Sequence, residues 1–497
     1  MGESSVQNLV LPAFDGRAFI NGQRTAALDG QTFDCLSPVD GRLLTQVARC
    51  GAADIDAAVA SARSAFDSRR WSGMAPSQRK RIMLRFADAV MADADNLALT
   101  ETLDMGKPVR YARSVDVNSA ANCLRWYGEA IDKIYDQIAP TAADSLALIT
   151  REPMGVVGVI VPWNYPMIMA CWKIAPALAA GNSVVLKPSE KSPLTALRLA
   201  ELALQAGLPA GVFNVVPGYG TEAGSPLALH MDVDCIAFTG STKVGKQIHV
   251  MAGQSNLKRA WTELGGKSPN IVFADCPDLD KAVQAAVGSI FFNQGESCNA
   301  PSRLFVEASI KDEFLAKALA LVPQYQPGNP LDKKTVMGAI VDKTQLDNVL
   351  RYIALGQSEG ATLLAGGAQA LLETGGCYVQ PTIFDGVTGD MTIAKEEIFG
   401  PVLSVLEFTD ALDVVKQANN SIYGLQAGVW TRDINKALGV ARALRAGTVH
   451  VNQYDGDDIT VPFGGYKQSG VGRDKSLHAF DKYTELKTTW IRVDSPV

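Results

Sequence analysis

Eight cysteines are scattered along the chain, and only Cys298 lies in a polar, glycine-containing segment, Q-G-E-S-C-N at residues 294–299. A cysteine thiolate is a strong nucleophile, but an ordinary thiol with a pKa of about 8.5 is mostly protonated at neutral pH, so a site must assist it. The other cysteines fit small, inert apolar residues. Cys298 is the candidate nucleophile. Glu296, two positions earlier, is an acid able to raise the pKa of that thiol or to bind a cationic substrate.

A second segment with chemical potential is G-S-T-K-V-G-K-Q at residues 240–247, which nearly matches a phosphate-binding P-loop. Gln247 stands where that loop needs a hydroxyl to hold magnesium, so a P-loop nucleotide switch is the weaker alternative. The strand C-I-A-F runs through T-G-S into a helix, and the N–H groups at a helix N-terminus suit a pyrophosphate. No G-x-G-x-x-G fingerprint follows a strand nearby, so a conventional Rossmann turn is not expected.

A charged pair follows the apolar strand S-V-V-L-K, where the chain continues P-S-E. Lys187 and Glu190 then project from the carboxyl end of a parallel strand, which is where open α/β sheets bind ligands. An acid at this place suits a ribose diol and repels the additional phosphate of NADP. The alternative is a solvated charge pair that caps a helix, and spacing alone favours that alternative.

The elements that must position these residues are predicted from hydrophobic periodicity. In the first part of the chain, apolar residues recur every three or four positions, which predicts helices over about 53–66, 76–103 and 115–135. From Ile149 onward, short apolar runs bounded by glycine and proline alternate with helical stretches. This alternation predicts βαβ units and a parallel sheet that is buried on both faces.

A second α/β run is predicted from Pro269 to about Val461. It opens with the strand P-N-I-V-F-A-D, and a helix is predicted over 278–295. The segment P-F-G-G-Y-K-Q-S-G-V-G-R-D, residues 462–474, is too rich in glycine for regular structure and indicates a functional or crossing loop. The tail Y-T-E-L-K-T-T-W-I-R-V alternates as a strand.

Composition excludes several classes of function. The chain has 497 residues, 47% hydrophobic and 20% charged, with a net charge of −6 and no basic run that would indicate nucleic acid or an anionic membrane. The first residues lack the features of a secretory signal. The most apolar stretch, 154–186, is interrupted by prolines, which argues against a membrane span. The cysteines form no C-x-x-C pair and the four histidines show no metal-ligand spacing, so reduced thiols in the cytoplasm are expected.

Seven motifs occur in an order that resembles the aldehyde dehydrogenase superfamily from about residue 20 to the end. Each motif alone is weak, whereas seven in order over nearly the whole chain are specific. The motifs are P-W-N-Y-P (162–166), K-P-S-E (187–190), F-T-G-S (238–241), E-L-G-G-K-S-P (263–269), N-Q-G-E-S-C (293–298), E-E-I-F-G-P-V (396–402) and P-F-G-G-Y-K-Q-S-G (462–470).

The resemblance implies the catalytic roles. Cys298 matches the nucleophile, and Glu263 matches the base that takes a proton from water attacking the thioester. Acyl-transferring members of the superfamily lack this acid, so Glu263 implies hydrolysis. Asn164 matches the oxyanion donor, together with the N–H of Cys298. Lys173 matches a lysine that supports the active-site glutamate or cysteine. A neutral residue is commoner at the position of Glu296, which is a departure from the family.

The resemblance also implies NAD as cofactor, with NADP tolerated as a second acceptor. Lys187 and Glu190 match contacts to the adenosine ribose, Ser241 a contact to the pyrophosphate, and Glu397 and Phe399 the nicotinamide-ribose side. The full set of expected cofactor contacts is Trp163, Lys187, Ser189, Glu190, Gly220, Gly224, Phe238, Gly240, Ser241, Gly245, Leu264, Glu397 and Phe399. Asp104 matches a position where some relatives hold a structural sodium or potassium ion.

The expected substrates come from the same resemblance, because the segment 452–480 and the tail are most similar to bacterial enzymes of polyamine and arginine catabolism. Those enzymes oxidise ω-amino, γ-glutamylamino or guanidino butyraldehydes. An acid at the substrate entrance favours a cationic far end. The expected substrate contacts are Trp126, Glu296, Asp457, Asp458 and Phe463. The alternative for the acids is a solvated position in a loop. The alternative for the aromatic residues is a position in the core.

Three other functions stay open at this point. A broad-specificity aliphatic aldehyde dehydrogenase would need no acidic entrance. A cofactor-independent thiol esterase could use Cys298 alone, but the nucleotide motifs would then have no purpose. A structural protein recruited from the fold is disfavoured because Cys298, Glu263 and Asn164 are all present.

The resemblance implies an α/β fold with three parts. These are a Rossmann-like parallel-sheet NAD-binding domain at 1–133 and 154–265, an α/β catalytic domain at 266–466, and β-flap oligomerisation or bridging segments at 134–153 and 467–497. A small flap is marginal alone, so it should pair with another subunit. We therefore expect a homodimer or homotetramer with a small-molecule aldehyde as its substrate.

Overall fold

The computed structural model describes residues 13–454 and 456–494. Two large, mostly parallel sheets dominate it, each covered by helices, and a smaller antiparallel sheet lies beside them. This agrees with the α/β architecture that the alternating apolar runs predict. No helix among the described residues is both long and apolar enough to cross a bilayer.

The first sheet has eight strands, and its five central strands are parallel. Its central strands are almost continuously apolar because helices cover both faces. Its strands, in spatial order, are Gln23–Thr25, Ala18–Ile20, Phe213–Val215, Ser183–Lys187, Val156–Ile160, Cys235–Thr239, Arg259–Glu263 and Gly470–Val471. The carboxyl ends of the parallel strands therefore bring Lys187, Thr239 and Glu263 to one edge.

Helices pack on both faces of this sheet. They are Ala52–Asp67, Pro76–Ala92, Ala94–Met105, Asn118–Ala130, Pro166–Ala180, Leu194–Gln205, Ser225–Leu229 and Thr242–Gln254, with a single turn at Val109–Tyr111. The single helix predicted over 76–103 is wrong, because it breaks at Asp93. Asp93 accepts hydrogen bonds from Asn96 and Arg198 and leaves helical geometry there. The predicted helix 115–135 ends at Ala130.

The second sheet has seven strands, all parallel except its edge strand Thr362–Ala365. After that edge, its strands in spatial order are Thr382–Asp385, Val402–Phe408, Arg303–Glu307, Pro269–Val272, Gln426–Trp430 and Thr448–Val451. Its helices are Leu279–Phe291, Lys311–Leu321, Lys343–Ser358, Thr392–Lys395, Ala411–Asn419 and Ile434–Ala443.

The crossing loop predicted at 462–474 returns the chain from the second sheet to the first, where Gly470–Val471 pairs with Thr262 and Glu263. The tail then forms the strand Thr484–Arg492, which pairs over its whole length with Ser145–Pro153, and Gln137–Ala139 completes this small sheet. Two short hairpins complete the strands, Thr32–Leu36 with Leu43–Ala48 and Gln369–Ala370 with Tyr378–Val379.

Candidate active site

Two cavities meet at Cys298. The larger, of about 490 Å³, lies between the helix Pro166–Ala180 and the segment 456–475. The smaller, of about 280 Å³, lies at the carboxyl edge of the first sheet. Cys298 and Met169 line both cavities. The thiol is therefore reachable from two separate compartments.

A strained turn places Cys298 at this junction. The helix predicted to run to residue 295 ends at Phe291, because Asn293 and Gln294 adopt φ values of 48° and 57°. Gly295 has φ 73°, and a Cβ there would lie 2.1 Å from the carbonyl oxygen of Gly400. Left-handed backbone in non-glycine residues is costly and is found where function needs it. The turn directs the thiol toward the cavities.

Asn164 follows the buried strand Val156–Ile160 and holds the thiol-bearing turn. Its Nδ2 donates to the carbonyl oxygen of Glu296 at 2.9 Å, and Asn293 Nδ2 donates to the carbonyl oxygen of Asn164 at 3.1 Å. The Asn164 amide carries two hydrogens, and one suffices for this bond. Asn164 also lines the smaller cavity, so its second hydrogen is available to an oxygen atom beside Cys298.

A second contact to the same turn was not predicted from the sequence. Tyr165 Oη and Ser297 Oγ share a hydrogen bond of 2.6 Å, and Lys107 Nζ lies 4.2 Å from the centroid of the Tyr165 ring. Lys107 is buried and paired with Asp116 and Glu101. Lys107 and its two acidic partners are far from Cys298 in the sequence, and no sequence pattern links them to it.

Glu263 ends the strand Arg259–Glu263 and lies in the smaller cavity with Cys298. The residue is buried, and the Cys298 thiol is the hydrogen-bonding side chain beside its carboxyl. Burial raises the pKa of Glu263 to about 8, and Lys173 limits that rise. Burial, and after it the charge of Glu263, raises the pKa of the Cys298 thiol. Glu263 is thus mostly protonated at neutral pH and is a stronger base when it is ionised.

Lys173 is buried in the apolar helix Pro166–Ala180 and pairs with Asp474, which also pairs with Lys482. Burial alone would raise the pKa of Asp474, but Lys173 and Lys482 together lower it. Lys173 therefore acts on Glu263 through its charge, not through a direct hydrogen bond. Asp474 and Lys482 are not predicted from the sequence, although Asp474 stands in the glycine-rich crossing loop at 462–474.

Six of the predicted cofactor contacts line the smaller cavity: Trp163, Gly240, Ser241, Leu264, Glu397 and Phe399. Ser241 caps the helix Thr242–Gln254 by accepting the N–H of Val244 at 3.3 Å, so the N-terminus of that helix opens toward this cavity. Seven further residues of its lining are not predicted from the sequence: Pro162, Met169, Thr239, Gly265, Gln345, Asn348 and Ile398. Four of them stand inside the seven motifs, next to predicted contacts, whereas Met169, Gln345 and Asn348 lie outside every motif.

Glu397 and Phe399 close this cavity. Glu397 accepts the N–H of Gly266 at 2.9 Å, and burial raises the pKa of its carboxyl to about 7. Phe399 adopts φ 57° and meets the Trp163 ring edge to face at 5.2 Å. The carboxylate, the aromatic pair and the helix N-terminus together fit a dinucleotide with a diol and a pyrophosphate.

The other predicted cofactor residues do not line this cavity. Lys187 is buried and pairs with Glu190 at 3.2 Å, and burial lowers the pKa of that lysine. Both stand at the same sheet edge, since Lys187 ends the strand Ser183–Lys187. The remaining five have local roles in the surrounding turns and packing: Ser189, Gly220, Gly224, Phe238 and Gly245.

Two of the five predicted substrate residues, Asp457 and Phe463, line the larger cavity. Asp457 is not a lone acid, because it pairs with the buried Lys475, which was not predicted. The ring of Phe463 packs against Trp172 at 5.2 Å. Much of the rest of the wall is aromatic: Tyr165, Trp172, Phe292 and Tyr454.

The structure does not bring the other three predicted substrate residues to the wall. Glu296 is buried and accepts the N–H of Val341 at 3.0 Å, because the left-handed turn directs its carboxyl away from the thiol. Trp126 packs edge to face on Tyr127 at 4.9 Å. Asp458 accepts the N–H and Oγ1 of Thr460, and those bonds lower its pKa.

Asp104 already has a protein donor on each carboxyl oxygen. Cys35 Sγ donates at 3.1 Å and the N–H of Leu194 at 2.9 Å. Burial raises the pKa of Asp104 to about 7, which weakens it as a ligand for a cation. Within the described part of the chain, no group of three or more His, Cys, Asp or Glu residues could hold a metal ion. The structural ion stays a prediction from resemblance.

Comparison with known proteins points in one direction. The family described as "Aldehyde dehydrogenase family" matches residues 25–489. The chain is 52% identical over 483 residues to the NADP/NAD-dependent aldehyde dehydrogenase PuuC of Escherichia coli (strain K12), with 97% of each chain covered. It is similar to the P. syringae indole-3-acetaldehyde dehydrogenase AldA, solved with NAD+ and IAA (TM-score 0.96, 62% identity, 97% of each chain). It is also similar to the γ-glutamyl-γ-aminobutyraldehyde dehydrogenase of Burkholderia cenocepacia J2315 (TM-score 0.95, 59% identity, 97% of each chain).

Proposed function

The chain belongs to the aldehyde dehydrogenase family, and we propose from this premise that it oxidises aldehydes to carboxylic acids with NAD, through a covalent bond to Cys298. The observation that carries the proposal is the position of Cys298 between two cavities, with the buried carboxyl of Glu263 beside its thiol in one of them. An aldehyde enters by the larger cavity and a nicotinamide dinucleotide by the smaller.

The oxidation step uses the groups around the thiol. The Cys298 thiol releases its proton to solvent and the resulting thiolate attacks the aldehyde carbon. The oxyanion that forms accepts hydrogen bonds from the Asn164 amide and the Cys298 N–H. The dinucleotide, when bound, accepts the two electrons that leave with the aldehyde hydrogen. Trp163, Ser241, Glu397 and Phe399 would hold it, and Lys187 with Glu190 would hold its adenosine ribose. Fixed placement of the reacting atoms supplies much of the acceleration.

The hydrolysis step uses Glu263. Its carboxylate takes a proton from water as the oxygen attacks the thioester, which releases the acid and returns the Cys298 thiolate. A pKa of about 8 makes this carboxylate a stronger base than an exposed glutamate. We therefore infer a hydrolytic, non-acylating enzyme. The charge of Lys173 keeps a fraction of Glu263 ionised, whereas the charge of Asp474 acts in the opposite direction.

For the substrate we propose ω-amino, γ-glutamylamino or guanidino butyraldehydes, as in polyamine and arginine catabolism. The similarity to the B. cenocepacia γ-glutamyl-γ-aminobutyraldehyde dehydrogenase supports this class. So does the carboxylate of Asp457, which lies on the wall of the larger cavity and can accept a hydrogen bond from a distal N–H group. The similarity to AldA, whose substrate name is aromatic and uncharged, favours broad specificity as the second candidate.

We further infer a homo-oligomer, either a dimer or a tetramer, in the cytoplasm. The strand Thr484–Arg492 lies at the edge of the small sheet with Leu486, Trp490 and Ile491 exposed. Such an apolar edge strand is an aggregation hazard unless another chain covers it. In the proposed division, 1–133 with 154–265 bind NAD, 266–466 carry the thiol, and 134–153 with 467–497 bridge subunits.

The test is NADH formation at 340 nm with the purified protein. A guanidinobutyraldehyde, an indole aldehyde and a short aliphatic aldehyde are compared, each with NAD and with NADP. We expect NADH from at least the first, faster with NAD, and none from the Cys298→Ala variant. The Cys377→Ala variant is the matched control, because Cys377 lies outside both cavities, and it should keep its activity. Hydrolysis of a nitrophenyl ester without any NADH from aldehydes would instead establish the thiol esterase.

A further inference from the structure

The larger cavity contains a buried lysine that the proposed chemistry does not use. The Lys475 side chain is 1% exposed and pairs with Asp457, whose side chain is 61% exposed. The Lys475 Nζ also lies 5.4 Å from the Trp172 ring centroid and 5.8 Å from that of Phe463. All four residues line this cavity. The acid and the lysine therefore both lie at the aldehyde compartment, and the acid is the more exposed of the two.

Strained backbone, together with the hydrogen bonds around it, holds Lys475 in this position. Lys475 and Ser476 are consecutive non-glycine residues with φ of 60° and 51°. The N–H of Ser476 donates to the carbonyl oxygen of Ile459 at 2.7 Å, and Tyr127 Oη donates to the carbonyl oxygen of Ser476 at 3.0 Å. Strained backbone persists only where its surroundings over-determine it, and it concentrates at functional sites. The lysine is therefore fixed beside Asp457.

The lysine changes what Asp457 offers to a substrate. A lone carboxylate on an aromatic wall would attract a cationic aldehyde and disfavour an uncharged one of equal length. Lys475 brings the net charge of the pair to zero, and the two rings stabilise the ammonium further. Asp457 then remains a hydrogen-bond acceptor for a distal N–H group, without a large bias toward positive charge.

We propose that Lys475 is a specificity-determining residue that offsets the charge of Asp457, so that the site accepts uncharged as well as cationic aldehydes. This inference rests on the proposed function, in which the larger cavity holds the aldehyde. It explains how one cavity could serve a guanidino or amino butyraldehyde and an uncharged aromatic aldehyde. Asp457 alone would favour cationic substrates. Lys475 cancels this preference, which should therefore appear when Lys475 is replaced.

The experiment measures kcat/KM for 4-guanidinobutyraldehyde and for heptanal, which has the same chain length, and takes their ratio within each variant. In Lys475→Met the ratio should rise about tenfold, because an uncompensated Asp457 remains and methionine fills the space among the aromatic rings. In Asp457→Asn it should fall below that of the unmodified protein. The double variant should return to the unmodified ratio. The matched control is Lys317→Met, whose exposed pair with Asp280 lies outside both cavities and should leave the ratio unchanged.

A second measurement does not depend on turnover. Calorimetry gives the dissociation constants of butylguanidinium and of 1-heptanol for the same proteins, and the ratio should move in parallel. If no aldehyde is oxidised but the binding ratio shifts in Lys475→Met, the proposed reaction fails and the role of Lys475 stands. An unchanged binding ratio in Lys475→Met overturns the inference. So does an equal shift when Lys475 is replaced in the Asp457→Asn background, because the effect would then not pass through Asp457.

Discussion

Lys173 and Asp474 are separated by 301 positions in the sequence, yet they form an ion pair in which both side chains are shielded from solvent. Asp474 pairs with Lys482 as well. One acid therefore compensates two buried lysines, and together these three groups carry one positive charge. The charge of Lys173 opposes the effect of burial on the pKa of Glu263, and the charge of Asp474 adds to that effect.

Replacement of Asp474 by asparagine should destabilise the protein strongly. Two lysine ammonium groups would remain buried without a counter-charge, and breaking a buried pair in this way costs about 3–5 kcal/mol. The measurement is the free energy of unfolding by urea, if unfolding is cooperative, or the shift in Tm. The control is Asp347→Asn, which breaks an exposed pair with Lys343 and should change stability by less than about 0.5 kcal/mol. Equal stability of the two variants would contradict the buried cluster.

Replacement of Glu263 by glutamine should separate the two halves of the reaction. Glutamine keeps the shape of the side chain but cannot accept a proton from water. We expect a burst of NADH close to one equivalent per active site, followed by turnover reduced at least about 100-fold. Stopped-flow absorbance at 340 nm gives both quantities. Absence of the burst would mean that Glu263 is needed before the thioester forms.

The pH dependence of turnover follows from the same carboxyl. Glu263 must be ionised to act as a base, and its pKa is raised to about 8. Steady-state turnover limited by hydrolysis should therefore rise as the pH is increased through about 8, and fall below it as the carboxyl becomes protonated. The profile is measured from pH 6 to 9.5 with saturating substrates. A limb near the pKa of an exposed glutamate, about 4.3, would contradict a buried base.

Contiguous motifs predicted much of the centre of the site. Cys298, Glu263 and Asn164 each stand in a short segment with a recognisable pattern, and the structure gathers all three around one junction. The strands of the parallel sheets were predictable for a similar reason, because each is an apolar run bounded by turn residues. Such patterns are local in the sequence, so they can be interpreted without a structure.

The directions of individual side chains, and the pairs that they form with distant residues, were not predictable from the sequence. Glu296 is two positions from Cys298, but three consecutive left-handed residues turn its carboxyl toward Val341. Asp457 was expected to present a charge, yet its partner Lys475 is 18 positions away in a strained segment. The helix predicted over 76–103 breaks at Asp93 for the same reason, because Arg198, which binds Asp93, lies 105 positions later. Each case depends on a tertiary contact that leaves no periodic pattern.

Replacement of Asn164 by alanine should weaken both its roles. It removes one oxyanion donor, and loss of such a donor costs about 10²- to 10³-fold in kcat. It also removes the hydrogen bond to the carbonyl oxygen of Glu296, which holds the turn. We expect the burst to slow by at least 100-fold while KM for NAD changes little. A normal burst rate would show that the oxyanion is held by other groups.

The strained turn before Cys298 gives the last prediction. Gly295→Ala places a Cβ about where the carbonyl oxygen of Gly400 lies, at 2.1 Å, in a residue with φ 73°. The turn must shift, and it carries Cys298 three positions later. Because a displacement of about 1 Å at a reacting atom can cost about 100-fold, we expect a large loss of burst rate. The matched control is Gly439→Ala, in the helix Ile434–Ala443, where no atom lies within 4 Å of the new Cβ. That variant should keep full activity and gain about 0.5–1 kcal/mol of stability. If both variants were fully active, the left-handed geometry at Gly295 would not be what positions the thiol.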